Sequence, residues 1–229
     1  MELIEALCTT GAVREFTTES VGDAVVARIL DRARFAPSGG NRQGWRVVVL
    51  KDREVRRRLR DVYVAGWYEY LAQAQAGLTP WAPITDLDAE TAARARAAEL
   101  AASAAEGPGG FAEHFDEVPV LLVVLADLRA LAAVDRDLGR YTLAGGASIY
   151  PFVWNLLLAA RAEGLAGVVT TMVVRYEPEV KALLEVPDDM AVAAVVALGH
   201  PVRQPTRLTR AAVAEFTTVD RVGGPVFGA

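Results

Sequence analysis

One domain of mixed helix and strand is the expected fold, on three observations. Apolar residues recur at helical spacing in several stretches. Four short, nearly unbroken apolar runs lie between them. No linker divides the 229 residues.

Val21, Val25, Ile29 and Ala33 recur every fourth residue, and Ser20 and Asp23 are spaced as a capping box, which predicts a helix ending near Phe35. Pro37, Gly39 and Gly40 stop it, and the run from Trp45 to Leu50 reads as a buried strand. Asp52 then caps a helix whose Val55, Leu59, Val62 and Gly66 share a face, leading into Trp67, Tyr68 and Tyr70. Ala89 to Glu106, preceded by Asp86 and Asp88 and closed by a Gly-Pro-Gly-Gly run, reads as one covering helix rich in good helix formers. Val118 to Leu125 is the second strand. Ala147 to Glu163, ended by Gly164, is the most apolar helix and belongs in the centre of the fold. Val168 to Val174 and Met190 to Leu198 complete the strands, separated by a helix starting near Pro178, a favoured first-turn residue. The tail from Gln204 to Ala229 reads as an extended arm, and 63–116 as a variable lid.

Composition narrows the function. With 52% hydrophobic residues the chain can bury a large core without staples, and its net charge of -5 leaves no broad basic footprint for nucleic acid. Cys8 is the only cysteine, which excludes an internal disulfide. The start Met1-Glu2-Leu3-Ile4-Glu5 is acidic where a signal peptide is basic, and the apolar run 118–126 is far too short for a membrane helix, so a cytoplasmic location away from membranes is expected. No Walker A loop, G-x-G-x-x-G, G-x-S-x-G or C-x-x-C occurs. The two histidines, His114 and His200, cannot make a His-rich metal site, so no metal is expected.

The segment Pro37 to Trp45 concentrates a hydroxyl, two glycines and two amides between a helix end and a strand start. Glycines let backbone N–H groups approach a ligand, and Asn or Gln offers donor and acceptor to a ring edge. Taken alone, composition favours an ordinary turn over a ligand cradle.

Three segments resemble the nitroreductase family. Ala36-Pro37-Ser38, then Asn41-Arg42-Gln43-Gly44-Trp45, is similar to the family's A-P-S…N-x-Q-P-W, with Gly44 where proline is usual. Ala12-Val13-Arg14-Glu15-Phe16 is similar to R-R-S-x-R-x-F, although Thr10, Gly11 and Ala12 replace the arginines and serine that usually help bind the FMN phosphate. Ser148 to Leu165 is similar to the central helix, with Asn155 at its amide; a buried amide there must be satisfied by packing partners.

The resemblance implies an α+β fold with a mostly antiparallel sheet surrounded by helices, in an intertwined homodimer with FMN at two interface sites. It implies contacts to FMN from Pro37, Ser38, Gly39, Asn41 and Gln43, and from Ser148 and Tyr150. Arg14 would stand near the flavin's pyrimidine edge and favour the anionic reduced ring. Thr170 and Thr171 would lie against the ring, with the Thr171 backbone as N5 donor. Arg207 and Arg210, after the corner Gly199-His200-Pro201, would clamp the phosphate.

The implied reaction is ping-pong: NADH or NADPH gives hydride to flavin N5, then a nitroaromatic, quinone or related acceptor takes the electrons. No protein acid or base is required. Trp67, Tyr68, Phe111 and Phe115, with Tyr70 and Trp81, either line a pocket for a flat acceptor or form the lid's own core. Two other readings stay open: a flavin enzyme of the same fold with an oxygen-dependent, dehalogenating or ring-oxidising reaction, and a non-enzymatic flavin carrier.

Overall fold

The computed structural model describes residues 2–228. Its centre is a four-stranded sheet in the order β1-β2-β4-β3, antiparallel at every pairing. The strands are β1 (Trp45–Leu50), β2 (Val120–Asp127), β3 (Ala166–Thr170) and β4 (Met190–Gly199). Both faces of this sheet are covered, which is why the strands read as continuous apolar runs instead of alternating ones.

On one face, α2 (Asp23–Ala33) packs with α6 (Tyr150–Ala162) over Leu122, Val124, Ala194 and Val196. On the other, α3 (Arg53–Gln75) and α7 (Glu177–Leu184) cover Leu121, Val123, Val195 and Ala197. Successive residues of β2 and β4 thus feed two separate cores. A short α1 (Leu3–Thr9) precedes these elements, α4 (Leu87–Arg94) and α5 (Ala97–Ala104) follow α3 and pack on it, and α8 (Val213–Phe216) lies in the tail.

Several local expectations need correction. No capping box forms at Ser20: the N-cap is Gly22, and no side chain caps it. The covering helix expected from Ala89 to Glu106 breaks at Ala95–Arg96, where backbone bonds tighten to Arg96 N–Ala93 O, 3.0 Å. The strand expected to run to Val174 leaves the sheet after Thr170, whose hydroxyl accepts from Met172 N (3.4 Å) and offers the backbone an alternative to the ladder; Met172–Tyr176 is a 3-10 turn. The central helix starts at Tyr150, with Pro151 in its first turn, while Ala144–Ser148 is a 3-10 turn. Asn155 is half-buried rather than buried, and among the described residues its amide has no partner. The tail carries α8 and a Thr218–Val226 bridge instead of running fully extended.

Candidate functional site

Loop 37–43 is held by its own hydroxyl and by the 3-10 turn that precedes α6. Ser38 Oγ accepts from Gln43 N (3.0 Å), Ser38 O accepts from Asn41 N (2.9 Å), and Gly39 N donates to Ser148 Oγ (3.0 Å). Inside this frame Asn41 (φ 53°) and Gln43 (φ 50°) are left-handed, a conformation that costs on the order of 1 kcal/mol or more for non-glycine residues and survives only where surroundings impose it. The side chains of Asn41 and Gln43 are exposed and touch each other through Gln43 Nε2 and Asn41 Oδ1 (3.3 Å). Pro37 is exposed beside them. Trp45 anchors the loop's end by stacking on Phe152 at 4.8 Å. Tyr150 donates to Ala193 O (3.3 Å) and leaves its ring half exposed.

A second group gathers at the β3 edge. Val13 N donates to Gly167 O (2.9 Å), laying the segment that carries Arg14 along β3. The start of the tail covers it: Val202 N donates to Glu15 O (3.0 Å) and Gln204 Nε2 to Thr9 O (3.2 Å). Between the two segments opens a cleft of about 510 Å³ lined by Arg14, Glu15, Arg203, Thr206 and Arg207. Arg210 is not among its walls; it donates to its own neighbour, Thr209 O.

Thr170 is buried against Tyr63. Burial pushes the Tyr63 hydroxyl up, opposed by its bond with Thr170 and by the charge of Arg14. Thr171 is exposed and lines a second cleft of about 710 Å³ with Trp81, Ile84, Tyr141 and Arg175. Gly66 lets α3 pass this segment: a Cβ there would stand 2.9 Å from Met172 O.

The four aromatics expected at a pocket do not line that cleft. Phe115 is wholly buried, stacked on Tyr63 at 4.2 Å with Phe111 edge-on at 5.5 Å. Tyr68 is buried and donates to Glu113, and its hydroxyl is pushed up to about 12 by burial and by that carboxylate. Trp67 stacks on Tyr70. Phe115, Phe111 and Trp67 belong instead to the core between α3 and the sheet, with Tyr63, Leu121 and Val123. The wall instead falls to Trp81, Tyr141 and Arg175, and the first cleft adds Arg203; of these only Trp81 was singled out by sequence. The other three lie on irregular segments, where no periodicity marks them.

Glu69 joins three elements. It accepts from Arg94 Nε (3.0 Å) and Tyr176 Oη (2.9 Å), with Arg175 at 3.4 Å. No group of three or more His, Cys, Asp or Glu able to hold a metal occurs among the described residues, and none of their helices is long and apolar enough to cross a membrane.

The two groups sit apart. Loop 37–43 opens β1 at one edge of the sheet, and Thr170 ends β3 at the other, three strand spacings or about 14 Å across.

A family model described as "Nitroreductase family" matches residues 11–200. The chain belongs to the nitroreductase family of oxidoreductases. It is 30% identical to an NADH dehydrogenase of Thermus thermophilus over 84% of this chain and 83% of that protein. Among solved structures, a BluB-like flavoprotein from Clostridium difficile 630 shares the fold at a TM-score of 0.68 and 19% identity, covering 96% of this chain and 100% of that one. Iodotyrosine deiodinase bound to FMN and 3-iodo-L-tyrosine shares it at 0.62 and 21%, covering 93% and 96%.

One of two departures from the nitroreductase pattern has a structural cause. Gly44 is buried against the 127–131 segment, where a Cβ would meet Ala130 Cβ at 2.9 Å and the backbone accepts from Asp127 N (2.7 Å). Gly11 lies under the tail, where a Cβ would meet only the end of the Leu208 side chain, at 2.8 Å, so the packing alone does not account for the glycine there.

Proposed function

We propose that the chain is an FMN-dependent oxidoreductase that passes hydride from NADH or NADPH to nitroaromatic, quinone or related unsaturated acceptors by a ping-pong mechanism, acting as a homodimer. One observation carries this reading: a polar amide-and-hydroxyl loop and a cationic cleft lie at opposite sheet edges of one chain, so a second copy completes each site.

The residues present fit the cofactor. Exposed amides at Asn41 and Gln43 match the donor and acceptor edge of a flavin pyrimidine, and Arg203 and Arg207, in the cleft that Arg14 also lines, match a phosphate monoester. The likeness to a flavoprotein and to a deiodinase structure holding FMN supports the same group. The Thermus relative's name supports a nicotinamide donor. When bound, FMN supplies the hydride relay, accepting and releasing it at N5.

The chain's own residues bind, orient and polarise. Ser38 and Ser148 fix the loop that offers the amides. Gly66 and the Thr170 turn hold the Thr171 backbone at the mouth of the larger cleft, where an N–H stabilises developing negative charge. Trp81, Ile84 and Tyr141 give that cleft an apolar, aromatic wall suited to a flat acceptor. The dimer is supported by apolar side chains left in water around the start of α6, including Leu138 (55% exposed), Leu143 (74%) and Tyr150 (48%).

Anaerobic mixing of the FMN-loaded protein with NADH or NADPH tests the proposal. Rapid bleaching of the flavin band, reversed by a nitroaromatic or a quinone, is expected. Failure to bleach with both nicotinamides contradicts it and favours a flavin carrier.

A further inference from the structure

We propose that Gln73 is a positioning residue for the larger cleft: by fixing the backbone of Trp81 it holds the indole as the wall against which a flat ring lies, and so sets a preference for flat acceptors over compact ones. The inference rests on the flavin reading above and deepens it by naming what selects the acceptor.

Gln73 is wholly buried on the last turn of α3, although glutamine is ordinarily a surface residue. Its amide is matched on both sides. Nε2 donates to Glu69 O (3.2 Å), and Oε1 accepts from Trp81 N (2.9 Å). Its backbone carbonyl accepts from Leu78 N (3.0 Å), so the chain leaving α3 turns back around this one residue.

Trp81 needs that hold. Its φ is 51°, a left-handed backbone that a bulky residue adopts only where the surroundings impose it. Among the described residues the bond to Gln73 is the only hydrogen bond Trp81 makes, and its indole Nε1 is buried without a partner. The ring is backed by Tyr70, with centroids 6.2 Å apart, and Tyr70 stacks on Trp67 at 5.5 Å.

The helix face that carries Gln73 frames the rest of the cleft. Gly66, Glu69 and Gln73 follow one another at helical spacing. Gly66 admits Met172, Glu69 pairs with Arg175, and Gln73 holds Trp81; all three partners line the cleft of about 710 Å³ beside Thr171. One face of α3 therefore serves as the cleft's frame, and Gln73 is the member that acts on its aromatic wall.

In a ping-pong scheme kcat/KM for an acceptor reports the second half-reaction, so two acceptors offered to the same FMN-loaded enzyme separate the wall from the flavin and the donor. Menadione, a flat bicyclic quinone, should depend on the indole; ferricyanide, a compact octahedral ion, should not. The cleft's charged residues, Glu90 and Arg175, are the same in every variant. Gln73→Met keeps the length and removes the bond, and it is expected to lower kcat/KM for menadione about fivefold through KM, with ferricyanide within about twofold. Gln73→Asn, whose amide falls one methylene short, should do the same and serves if the methionine variant does not fold. Trp81→Ala should lose at least as much, and Gln73→Met added to it should change the ratio no further, because Gln73 acts through the ring. Gln75→Ala removes an exposed glutamine of the same helix and should alter neither acceptor. Binding of 2-naphthol, flat but not reducible, to the oxidised enzyme gives a readout without turnover: its Kd should rise about fivefold in Gln73→Met.

An unchanged ratio of menadione to ferricyanide kcat/KM in both Gln73 variants overturns the assignment. So does an equal loss for both acceptors, the mark of a residue that only stabilises the fold, or a ratio that falls further in the double variant than in Trp81→Ala. A wild-type chain that reduces neither acceptor overturns the flavin reading itself. A wild type that reduces both, with Gln73 variants that keep its ratio, overturns the assignment alone.

Discussion

At Ser148 a single buried hydroxyl ties loop 37–43 to the 3-10 turn that precedes α6. Removing it leaves the Gly39 N–H without its partner, a loss of about 1 kcal/mol. Ser148→Ala is therefore expected to weaken FMN by up to roughly fivefold in a fluorescence titration and to lower the melting temperature by no more than about 2–4 °C; unaltered affinity would show that the loop holds itself. Gly66 works by absence. Gly66→Ala pushes a methyl group toward Met172 O and should cost about 1–3 kcal/mol as overpacking, read as a lower denaturation midpoint. The residues of loop 37–43 were legible because their types and spacing follow a chemical pattern. Arg203, Tyr141 and Arg175 were not, because an exposed cation or ring on an irregular segment gains its meaning only from what the fold sets beside it.

Among the elements, Asp52 behaves as its sequence position predicts, its carboxylate accepting from Glu54 N (2.8 Å) and Val55 N (3.0 Å) at the start of α3. Asp52→Ala should cost about 1 kcal/mol and lower the melting temperature by about 2–4 °C for a chain of this size. The Ser20 cap failed because serine lies two residues before the actual helix boundary at Gly22. All four strands were legible as apolar runs, since a sheet covered on both faces asks for apolar residues at every position. The end of β3 was misread because Val173 and Val174 continue the run although the Thr170 hydroxyl has already turned the chain.

α4 and the 172–176 turn are tied to α3 through Glu69, and that tie depends on pH. Burial alone would raise the Glu69 carboxyl, but bonds from Arg94 and Tyr176 outweigh it and hold it below the ordinary glutamate range. A depressed folded-state pKa contributes stability that is present above the unfolded value and lost as pH falls through the folded one. The wild type should therefore lose stability below the ordinary glutamate range more steeply than Glu69→Gln. Denaturant midpoints measured across acidic pH check this, and parallel curves would contradict it.

At the scale of the whole molecule, the antiparallel sheet and its two helical layers were expected from the family resemblance, and the structure shows them. The division of the candidate site into two groups at opposite edges is the feature on which the proposed function depends. Flavin content measured together with molar mass by light scattering over a dilution series tests it most directly. The account predicts one FMN per chain in a species of two chains, with flavin released as the pair dissociates. A monomer that retains its full complement of FMN would contradict it.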